Sequence, residues 1–293
     1  MRVLVTGCNG QVGRSVTILG QTLGFIISSC TREALDITSK SSVADNMMKF
    51  KPDLVINAAA YTAVDKAESD VQLAFMVNKQ CVINLAHACE KVDIPLFHIS
   101  TDYVFDGMSN QPYREGDMVS PLSAYGKSKE AGESALRSIL KKHIVLRTSW
   151  VFSEFGANFP KTILRLASEK DKINIVAYQF GGPTSSKSIA QALCAIAQIY
   201  ESKKDLDWGT YHFTQQPHVS WYQFAEEIIR QAYEKNVLAT IPVISKILSE
   251  DFPSVAKRPL DARLECSAIR EVFGISASEW YSDIADLIDV YHN

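Results

Sequence analysis

The feature that most constrains the fold is a glycine-rich turn directly after a short apolar run at residues 2–6. Three glycines, Gly7, Gly10 and Gly13, follow the spacing G-x-x-G-x-x-G, and an amphipathic stretch continues to about Gly24. Because glycine has no Cβ, a pyrophosphate can approach such a turn closely, and the following helix points its amide groups at the phosphates. The turn therefore predicts a dinucleotide site, with a purely structural turn as the alternative.

The chain then alternates short apolar runs with helical patterns. We predict strands at residues 2–6, 25–29, 53–56, 96–99 and 143–147, and helices at 39–50, 71–91 and 121–142. This alternation is typical of an α/β, Rossmann-type fold with a doubly wound parallel sheet. Ligands of such sheets bind beyond the carboxyl ends of the strands. Residues near positions 7, 58–61, 100–103 and 148–152 should therefore surround one crevice.

The pattern loosens after about residue 150, where we expect helices at 158–170, 186–200 and 220–234 and two more near the end. We expect residues 1–150 to form the dinucleotide-binding domain. Residues 151–293 should form mainly a smaller C-terminal substrate-binding lobe, with some segments returning to the first domain.

Composition excludes several classes of protein. The chain has 30 Lys and Arg against 33 Asp and Glu, a net charge of −3, which disfavours a nucleic-acid surface. No run approaches the roughly 20 apolar residues of a membrane span. The six cysteines are scattered and the six histidines are unpaired, so we expect reduced thiols, no zinc site and a cytoplasmic protein.

The end of the second predicted strand bears on the choice of cofactor. NAD-selective sites usually have an acidic residue there, whereas an arginine accommodates a 2′-phosphate. Here the position is Cys30 and Arg32 is close, which favours NADPH and keeps NADH as the alternative. If Arg32 is merely solvated, Asp36 and Ile37 would lie near the adenine.

Tyr125 and Lys129 are four residues apart at the start of a predicted helix and so share one face. A phenol, with a pKa of about 10, needs a neighbouring ammonium to act near neutrality. Such pairs also occur by chance on exposed helices. This pair, however, follows the predicted strand at 96–99, whose carboxyl end carries Ser100 and Thr101. We expect the Thr101 hydroxyl to bind a substrate carbonyl, with the Ser100 hydroxyl as the alternative.

The glycine turn, the Tyr-x-x-x-Lys pair and the upstream hydroxyl together resemble the extended short-chain dehydrogenase/reductases. Five stretches more specifically resemble the dTDP-4-dehydrorhamnose reductase family. They are residues 57–68 (NAAAYTAVDKAE), 100–107 (STDYVFDG), 120–133 (SPLSAYGKSKEAGE), 146–152 (LRTSWVF) and 158–167 (NFPKTILRLA). The likeness extends from residue 1 to about 185, with a weaker echo at Arg258 and Pro259.

The resemblance implies reduction of the C4 ketone of dTDP-4-dehydro-β-L-rhamnose to dTDP-L-rhamnose, a precursor of cell-surface polysaccharides such as lipopolysaccharide. Tyr125 would protonate the alkoxide, Thr101 would polarise the carbonyl, and Lys129 would hold the nicotinamide ribose and tune Tyr125. Implied cofactor contacts are Gly10, Gln11, Val12, Asp36, Ile37, Ala60, Tyr61, Thr62, Tyr125 and Lys129, with Ala58 placed nearby by the sheet. Implied substrate contacts are Val64, Thr101, Asp102 and Trp150.

Several alternatives stay open. Trp150 could instead be core between the lobes, Asp102 could cap the next turn, and Asp65, Lys66 and Glu68 could form a solvated face. Residues 177–180 (AYQF) and 258–264 (RPLDARL) depart from the family pattern. Another 4-keto-6-deoxy sugar nucleotide therefore remains an alternative substrate.

A third interpretation is a non-catalytic NADP-binding regulatory subunit like the β subunit of methionine adenosyltransferase. Some relatives bind Mg²⁺ at a dimer contact through an acidic residue just after the glycine turn. That position is Ser15 here, so we predict no metal site, and both Mg²⁺ and a homodimer stay open.

Overall fold

The computed structural model describes residues 1–292. Its strands are β1 Arg2–Thr6, β2 Ile26–Cys30, β3 Leu54–Asn57, β4 Leu96–Thr101, β5 His143–Thr148, β6 Val151–Phe152, β7 Lys172–Val176, β8 Phe180–Gly181, β9 Thr184–Ser185, β10 Gly209–His212, β11 Val219–Ser220 and β12 Val243–Ile247.

The α-helices are α1 Gln11–Thr22, α2 Lys40–Phe50, α3 Val64–Ala67, α4 Val71–Phe75, α5 Cys81–Lys91, α6 Ala124–Ile139, α7 Phe159–Glu169, α8 Ser186–Lys203, α9 Trp221–Glu234, α10 Ser267–Phe273 and α11 Tyr281–His292. Short 3₁₀ turns lie at Asp102–Val104 and Ser249–Asp251. Within residues 1–292, no helix combines the length and apolar character that a bilayer span requires.

The central sheet has six strands in the order β10-β5-β4-β3-β1-β2, and every neighbouring pair is parallel. The predicted Rossmann-type doubly wound sheet is confirmed. Strands β3 and β5 are buried along their whole length, because helices cover both faces of a parallel sheet. The sixth strand, β10, was not predicted; its sequence GTYH carries no apolar run, and it pairs with β5 at the far edge.

The strand order places a topological switch point between β1 and β3. The chain leaves β1 toward β2 on one side and returns to β3 on the other, so a crevice opens at their carboxyl ends. The glycine turn follows β1 and the segment 58–62 follows β3. Both therefore lie at this crevice, as the parallel sheet requires.

The predicted continuous helix at 71–91 is wrong in its middle. A π-helical turn at Met76–Gln80 separates α4 from α5. The turn holds Asn78, which is buried and whose side-chain amide donates to the Tyr61 carbonyl and accepts from the Tyr61 amide, at 3.0 and 2.8 Å. A π-turn of this kind often marks a functional site, since it redirects one side chain.

A second, smaller sheet was also missed by the sequence. Strands β7 and β12 pair in parallel, with Lys172 opposite Val243, although helices α8 and α9 lie between them in the chain. Helices α7, α9 and α11 pack around these strands over an apolar cluster that contains Phe224 and Trp280. Other parts of the second half join the first: α8 packs on α1, and α10 on β10.

Candidate active site

The glycine turn is shaped so that side chains are excluded. Gly7 has φ +69°, and a Cβ there would lie 2.5 Å from the Ala59 amide nitrogen; a Cβ on Gly13 would collide with the Gly7 carbonyl. Within the described residues, no side chain caps α1 at Gly10, so the amides of its first turn lack that partner. This bare turn with open helix amides fits a pyrophosphate.

The residues predicted at the adenine end lie in the loop after β2. Arg32 is exposed, two residues beyond Cys30, which pairs with the end of β1. The Asp36 carboxylate accepts from the Thr38 hydroxyl and amide, at 2.7 and 2.9 Å, which lowers the pKa of Asp36. The Ile37 carbonyl accepts from Asn84 of α5. The guanidinium of Arg32 is therefore accessible to a phosphate, and Asp36 is fixed in its turn.

The segment after β3 carries the next set of predicted contacts. Ala58 and Ala60 are half-buried, whereas Thr62 is exposed. The Tyr61 hydroxyl donates to Asp70 at 3.0 Å. The Tyr61 and Val64 side chains pack with Tyr125 in a small apolar cluster. The structure thus brings Val64 and the segment after β3 to the face of α6 that bears Tyr125.

Tyr125 lies in the first turn of α6, which Ser123 caps by accepting from the Gly126 amide. The Tyr125 hydroxyl lies beside that of Thr101, the last residue of β4. Burial raises the pKa of Tyr125, and the neighbouring Thr101 hydroxyl opposes that rise. A phenol and a hydroxyl in contact can both bind one carbonyl oxygen, as predicted for this pair. Ser100, the reserve, is also buried, and its hydroxyl lies beside Glu133.

Lys129 is buried one turn further along α6. Its ammonium donates to the Ile99 carbonyl at 2.7 Å and lies 3.3 Å from the His98 ring nitrogen Nε2. Burial lowers the pKa of Lys129 to about 8, although the charge of Glu133 opposes this. Glu133 itself is fully buried, and both of its oxygens accept from the Arg147 guanidinium at 2.7–3.2 Å. The site therefore rests on a buried ion pair.

Asp102 carries an unpartnered buried oxygen. Its Oδ1 accepts from the Thr101 hydroxyl at 2.9 Å, whereas Oδ2 has no hydrogen-bond partner among residues 1–292. Burial raises the pKa of Asp102 to about 7, against the opposing hydrogen bond from Thr101. The cap of the following 3₁₀ turn is Thr101, whose Oγ1 accepts from the Tyr103 amide, so capping does not account for Asp102. Its second oxygen is available to a ligand hydroxyl.

A cavity of about 640 Å³ opens beside this centre. Tyr103 joins the two: its ring packs edge-on against Tyr125 with centroids 5.6 Å apart, and its hydroxyl accepts from Arg258, which lines the cavity, at 3.4 Å. The residues that line it and bear most on ligand chemistry are Phe159, Gln179, Trp221, Phe252, Lys257 and Arg258. Aromatic faces and two cations suit a nucleoside diphosphate.

Trp150 sits behind this cavity in a strained backbone conformation, with φ +46°. Its indole stacks on that of Trp221 with centroids 3.5 Å apart and planes 9° from parallel. The ring also presses against Gly181, where an added Cβ would lie 2.6 Å away. A non-glycine residue in this conformation stores strain that packing must offset. Trp150 thus backs the cavity-lining Trp221, between core and site.

A loop at residues 248–260, which covers the cavity, is tied to the segment after β3. Asp65 accepts from Arg258 at 2.7 Å, from the Ser254 hydroxyl at 2.8 Å and from the Ala256 amide at 3.0 Å. Burial acts to raise the pKa of Asp65, but these hydrogen bonds and the charge of Arg258 outweigh it and hold the pKa low. Asp65 therefore anchors the loop.

The three charged residues of this segment do not share one environment. Glu68 accepts from the Ala124 amide at the start of α6, at 2.8 Å, and Asp65 is engaged by the 248–260 loop. Lys66 is exposed. The interpretation as a solvated face therefore fits Lys66, whereas Glu68 is engaged by α6 and Asp65, although its side chain is 44% exposed, is engaged by the 248–260 loop.

The whole chain matches one protein family. The family model described as the RmlD substrate binding domain matches residues 1–293. The chain belongs to this family. It is 44% identical over 280 residues to the dTDP-4-dehydrorhamnose reductase of Aggregatibacter actinomycetemcomitans, covering 95% of each chain. It is 39% identical over 289 residues to that of Sinorhizobium fredii, covering 98% of this chain and 97% of the relative.

Two solved structures with more than 30% sequence identity to this chain share its fold. A dTDP-4-dehydrorhamnose reductase of Clostridium acetobutylicum superposes with a TM-score of 0.90 at 35% identity, covering 100% of both chains. The Bacillus anthracis dTDP-4-dehydrorhamnose reductase in complex with NADP gives 0.88 at 31% identity, covering 98% of both. The family resemblance predicted from the sequence is therefore confirmed.

The position after the glycine turn is Ser15, which carries a hydroxyl group rather than a carboxyl group. The buried Ser15 hydroxyl lies 2.7 Å from that of Ser186 and 3.1 Å from the Gln11 carbonyl. Among residues 1–292, no group of three His, Cys, Asp or Glu side chains could hold a metal ion. The Gln11 side chain is engaged elsewhere, since its oxygen accepts from Ser153 and Asn158.

Sequence reasoning about this RmlD-family chain missed much of the cavity. Phe159, Trp221 and Phe252 come from α7, α9 and the 248–260 loop, and each looks like ordinary core in its local sequence. Arg258 was singled out only as an echo of the family pattern. Arg258 pairs with Asp65, which is 193 residues away in the chain. A pair this distant can be detected by covariation among many sequences but not from one sequence alone.

Proposed function

We propose that this chain is an NADPH-dependent reductase that converts dTDP-4-dehydro-β-L-rhamnose to dTDP-L-rhamnose. The observation that carries the proposal is the adjacent pair of hydroxyls on Thr101 and Tyr125, with Lys129 one turn beyond Tyr125 on the same helix. This pair lies between a turn shaped for pyrophosphate and a cavity lined by aromatic rings and cations. Relatives named as this reductase at up to 44% identity support the substrate class.

The proposed roles follow from the geometry. NADPH, when bound, supplies the hydride that reduces the C4 ketone. Thr101 and Tyr125 together orient the ketone oxygen, and Tyr125 gives its phenolic proton to that oxygen as negative charge develops. Lys129 binds the ribose and promotes ionisation of Tyr125. The second Asp102 oxygen, without a partner among residues 1–292, accepts from a sugar hydroxyl.

The cofactor residues are proposed on the same basis. The glycine turn holds the pyrophosphate through Gly7, Gly10 and Gly13 and the amides of Gln11 and Val12. Arg32 binds the 2′-phosphate, which fits the NADP complex of the Bacillus anthracis relative. The remaining proposed contacts, with adenine, ribose or nicotinamide, are Asp36, Ile37, Ala58, Ala60, Tyr61 and Thr62.

We propose that one group of residues binds the sugar and another binds the nucleotide. Val64 borders the reacting sugar, and Trp150 supports Trp221 against it. Arg258 and Lys257 face the diphosphate, and the aromatic side chains take the thymine. We also propose a cytoplasmic location, where nucleotide sugars and NADPH are made, and a homodimer as the assembly to test.

The deciding experiment follows NADPH oxidation by its absorbance, with dTDP-4-dehydro-β-L-rhamnose generated in situ and the product identified by mass and NMR. We expect rapid oxidation that yields dTDP-L-rhamnose, and a higher KM for NADH than for NADPH. Parallel assays with other 4-keto-6-deoxy sugar nucleotides test the alternative substrates. Tight NADPH binding without oxidation by any of these substrates would contradict the proposal and favour a regulatory protein.

A further inference from the structure

A chain of buried polar side chains crosses the sheet beneath the site. The Thr6 hydroxyl donates to Asn57 Oδ1 at 2.6 Å, and Asn57 Nδ2 lies 3.0 Å from His98 Nδ1. On the other side of the ring, His98 Nε2 lies 3.3 Å from the Lys129 nitrogen. All four residues are at most 2% exposed, so water does not compete for their hydrogen bonds. The chain links the end of β1 to the lysine of the site.

The orientation of the Asn57 amide is fixed by the backbone. The Ala59 amide, which can only donate, points at Asn57 Oδ1 at 3.2 Å. Were the side-chain amide reversed, two N–H donors would face each other in a buried place. Asn57 Nδ2 must therefore point at His98 and donate to its Nδ1.

This donation determines the tautomer of His98. Burial, helped by the charge of Lys129, lowers the pKa of His98 well below its ordinary value, so the ring is neutral. Since Nδ1 accepts from Asn57, the single ring proton is on Nε2. The Nε2–H group then points at the Lys129 nitrogen. An ammonium has no lone pair to accept it, whereas a neutral amine does.

Other groups around Lys129 act in the opposite direction or do not distinguish its two forms. Glu133, the next turn of α6, favours the ammonium, but its oxygens are shared with Arg147 and Arg137. The Ile99 carbonyl accepts from Lys129 in either protonation state.

The remaining titratable side chains of the site are the phenols of Tyr103 and Tyr125 and the carboxyl of Asp102. Burial raises the pKa of each of them, so it favours their neutral forms. Besides burial and Glu133, the group beside Lys129 that distinguishes its two protonation states is therefore the ring nitrogen that His98 turns toward it.

We propose that His98 is a positioning residue whose Nε2–H tautomer, locked by Asn57, holds Lys129 close to the balance between ammonium and amine. This inference goes beyond the proposed reductase and rests on it only for the effect on turnover. The amine form accepts a hydrogen bond from His98 and donates to Ile99; the ammonium form supplies the charge that Tyr125 requires. Loss of the proton from the Lys129 ammonium therefore limits the function of the site at alkaline pH.

The first test reads the tautomer directly in the intact wild-type protein. Long-range ¹H–¹⁵N correlation distinguishes a protonated from an unprotonated ring nitrogen, and comparison with the His98→Phe spectrum assigns the signals. We expect an unprotonated Nδ1 and a protonated Nε2 at neutral pH. A protonated Nδ1 would overturn the inference whatever the activity of the protein.

The second test reverses the tautomer with Asn57→Asp. The carboxylate keeps both acceptor contacts of Oδ1 but makes the atom facing His98 an acceptor, so the ring proton moves to Nδ1. A bare Nε2 then accepts from the Lys129 ammonium and stabilises it. In wild type, NADPH binding, measured by cofactor fluorescence, should weaken above about pH 8, where Lys129 loses its proton. We call this high-pH decline the alkaline limb of the binding profile. In Asn57→Asp this alkaline limb should move up by roughly one pH unit or more.

Controls separate this role from structural damage. His143→Gln removes another buried histidine, on neighbouring β5, whose Nδ1 contacts the Leu140 carbonyl; its alkaline limb should stay at the wild-type pH. His98→Phe keeps an aromatic ring but has no N–H group, and it should shift the alkaline limb upward. An unshifted limb in a folded Asn57→Asp protein would overturn the inference.

The proposed reductase function and the inference about His98 can fail independently of each other. If the wild type reduces no keto sugar, the reductase proposal is lost, but the tautomer and the pH limb of NADPH binding can still be measured. If the sugar is reduced while Nδ1 carries the proton, only the inference about His98 is lost.

Discussion

The cofactor side and the sugar side of this molecule are built by different means. At the cofactor side, buried polar side chains form a hydrogen-bonded series, as in Thr6, Asn57 and His98 under the lysine. At the sugar side, aromatic rings from distant segments stack on one another, as Trp150 does on Trp221. Hydrogen bonds depend on direction, whereas apolar packing depends mainly on volume.

The contrast predicts how each side responds to change. Removing one partner from a buried polar network leaves another group unsatisfied, which costs about 1–3 kcal/mol. Apolar and aromatic surfaces adjust to a substitution with graded losses. We therefore expect steep effects from single atoms on the cofactor side and gradual effects on the sugar side.

Tyr125→Phe gives the largest expected effect, because it removes one oxygen, the proton donor, and leaves the ring in its apolar cluster. Turnover should fall about a thousandfold, while NADPH affinity changes little. Stopped-flow and steady-state oxidation of NADPH measure the first, and cofactor fluorescence the second. Turnover within tenfold of wild type would exclude Tyr125 as the donor.

Glu133→Gln tests the polar side through stability. The change leaves the buried Arg147 guanidinium without its countercharge, so the free energy of unfolding should drop by about 3 kcal/mol. Urea denaturation at neutral pH measures it. Glu169→Gln is the matched control, since Glu169 pairs with Arg165 on the exposed face of α7 and should cost below about 1 kcal/mol. Equal losses in the two variants would remove the contrast between buried and exposed pairs.

Asp102→Asn tests the pH dependence of the same side. Burial raises the folded pKa of Asp102 to about 7, against about 3.9 in an unfolded chain. The folded state therefore binds more protons between these values, and the contribution of Asp102 to wild-type stability falls as pH rises from about 4 to 7.

The asparagine introduced at this position does not ionise, so it carries no such pH dependence. Relative to wild type, the variant should therefore gain about 3 kcal/mol of stability at pH 8.5 compared with pH 4. Urea denaturation of both proteins at the two pH values measures the difference. A gain that is the same at both pH values would show that Asp102 titrates normally.

Trp221→Ala, on the sugar side, should produce the smallest of these effects, a moderate loss of substrate affinity. Loss of the ring that lines the cavity and stacks on Trp150 should raise the KM for the sugar nucleotide about tenfold, with kcat changed less. Trp208→Ala is the control, because Trp208 contacts Tyr200 away from the cavity. A large loss of kcat with unchanged KM would place Trp221 in the chemistry rather than in binding.

The same contrast explains what sequence reasoning could and could not find. Gly7, Tyr125 and Lys129 lie in short motifs whose spacing reflects a single turn or helix, so local rules identify them. Arg258 and Trp221 reach the cavity only through long-range packing. The π-turn at residues 76–80 escaped because its sequence has ordinary helical periodicity, and the contact with the segment after β3 that accompanies it is tertiary.

The sequence by itself determined the parallel sheet, the glycine turn and the helix that bears Tyr125 and Lys129, because these depend on local periodicity and on the lack of a glycine Cβ. Only the tertiary structure decided that Asp65 holds Arg258 over the cavity and which tautomer His98 adopts. Those outcomes depend on distances between segments that lie far apart in the chain, and such distances exist only once the core has packed.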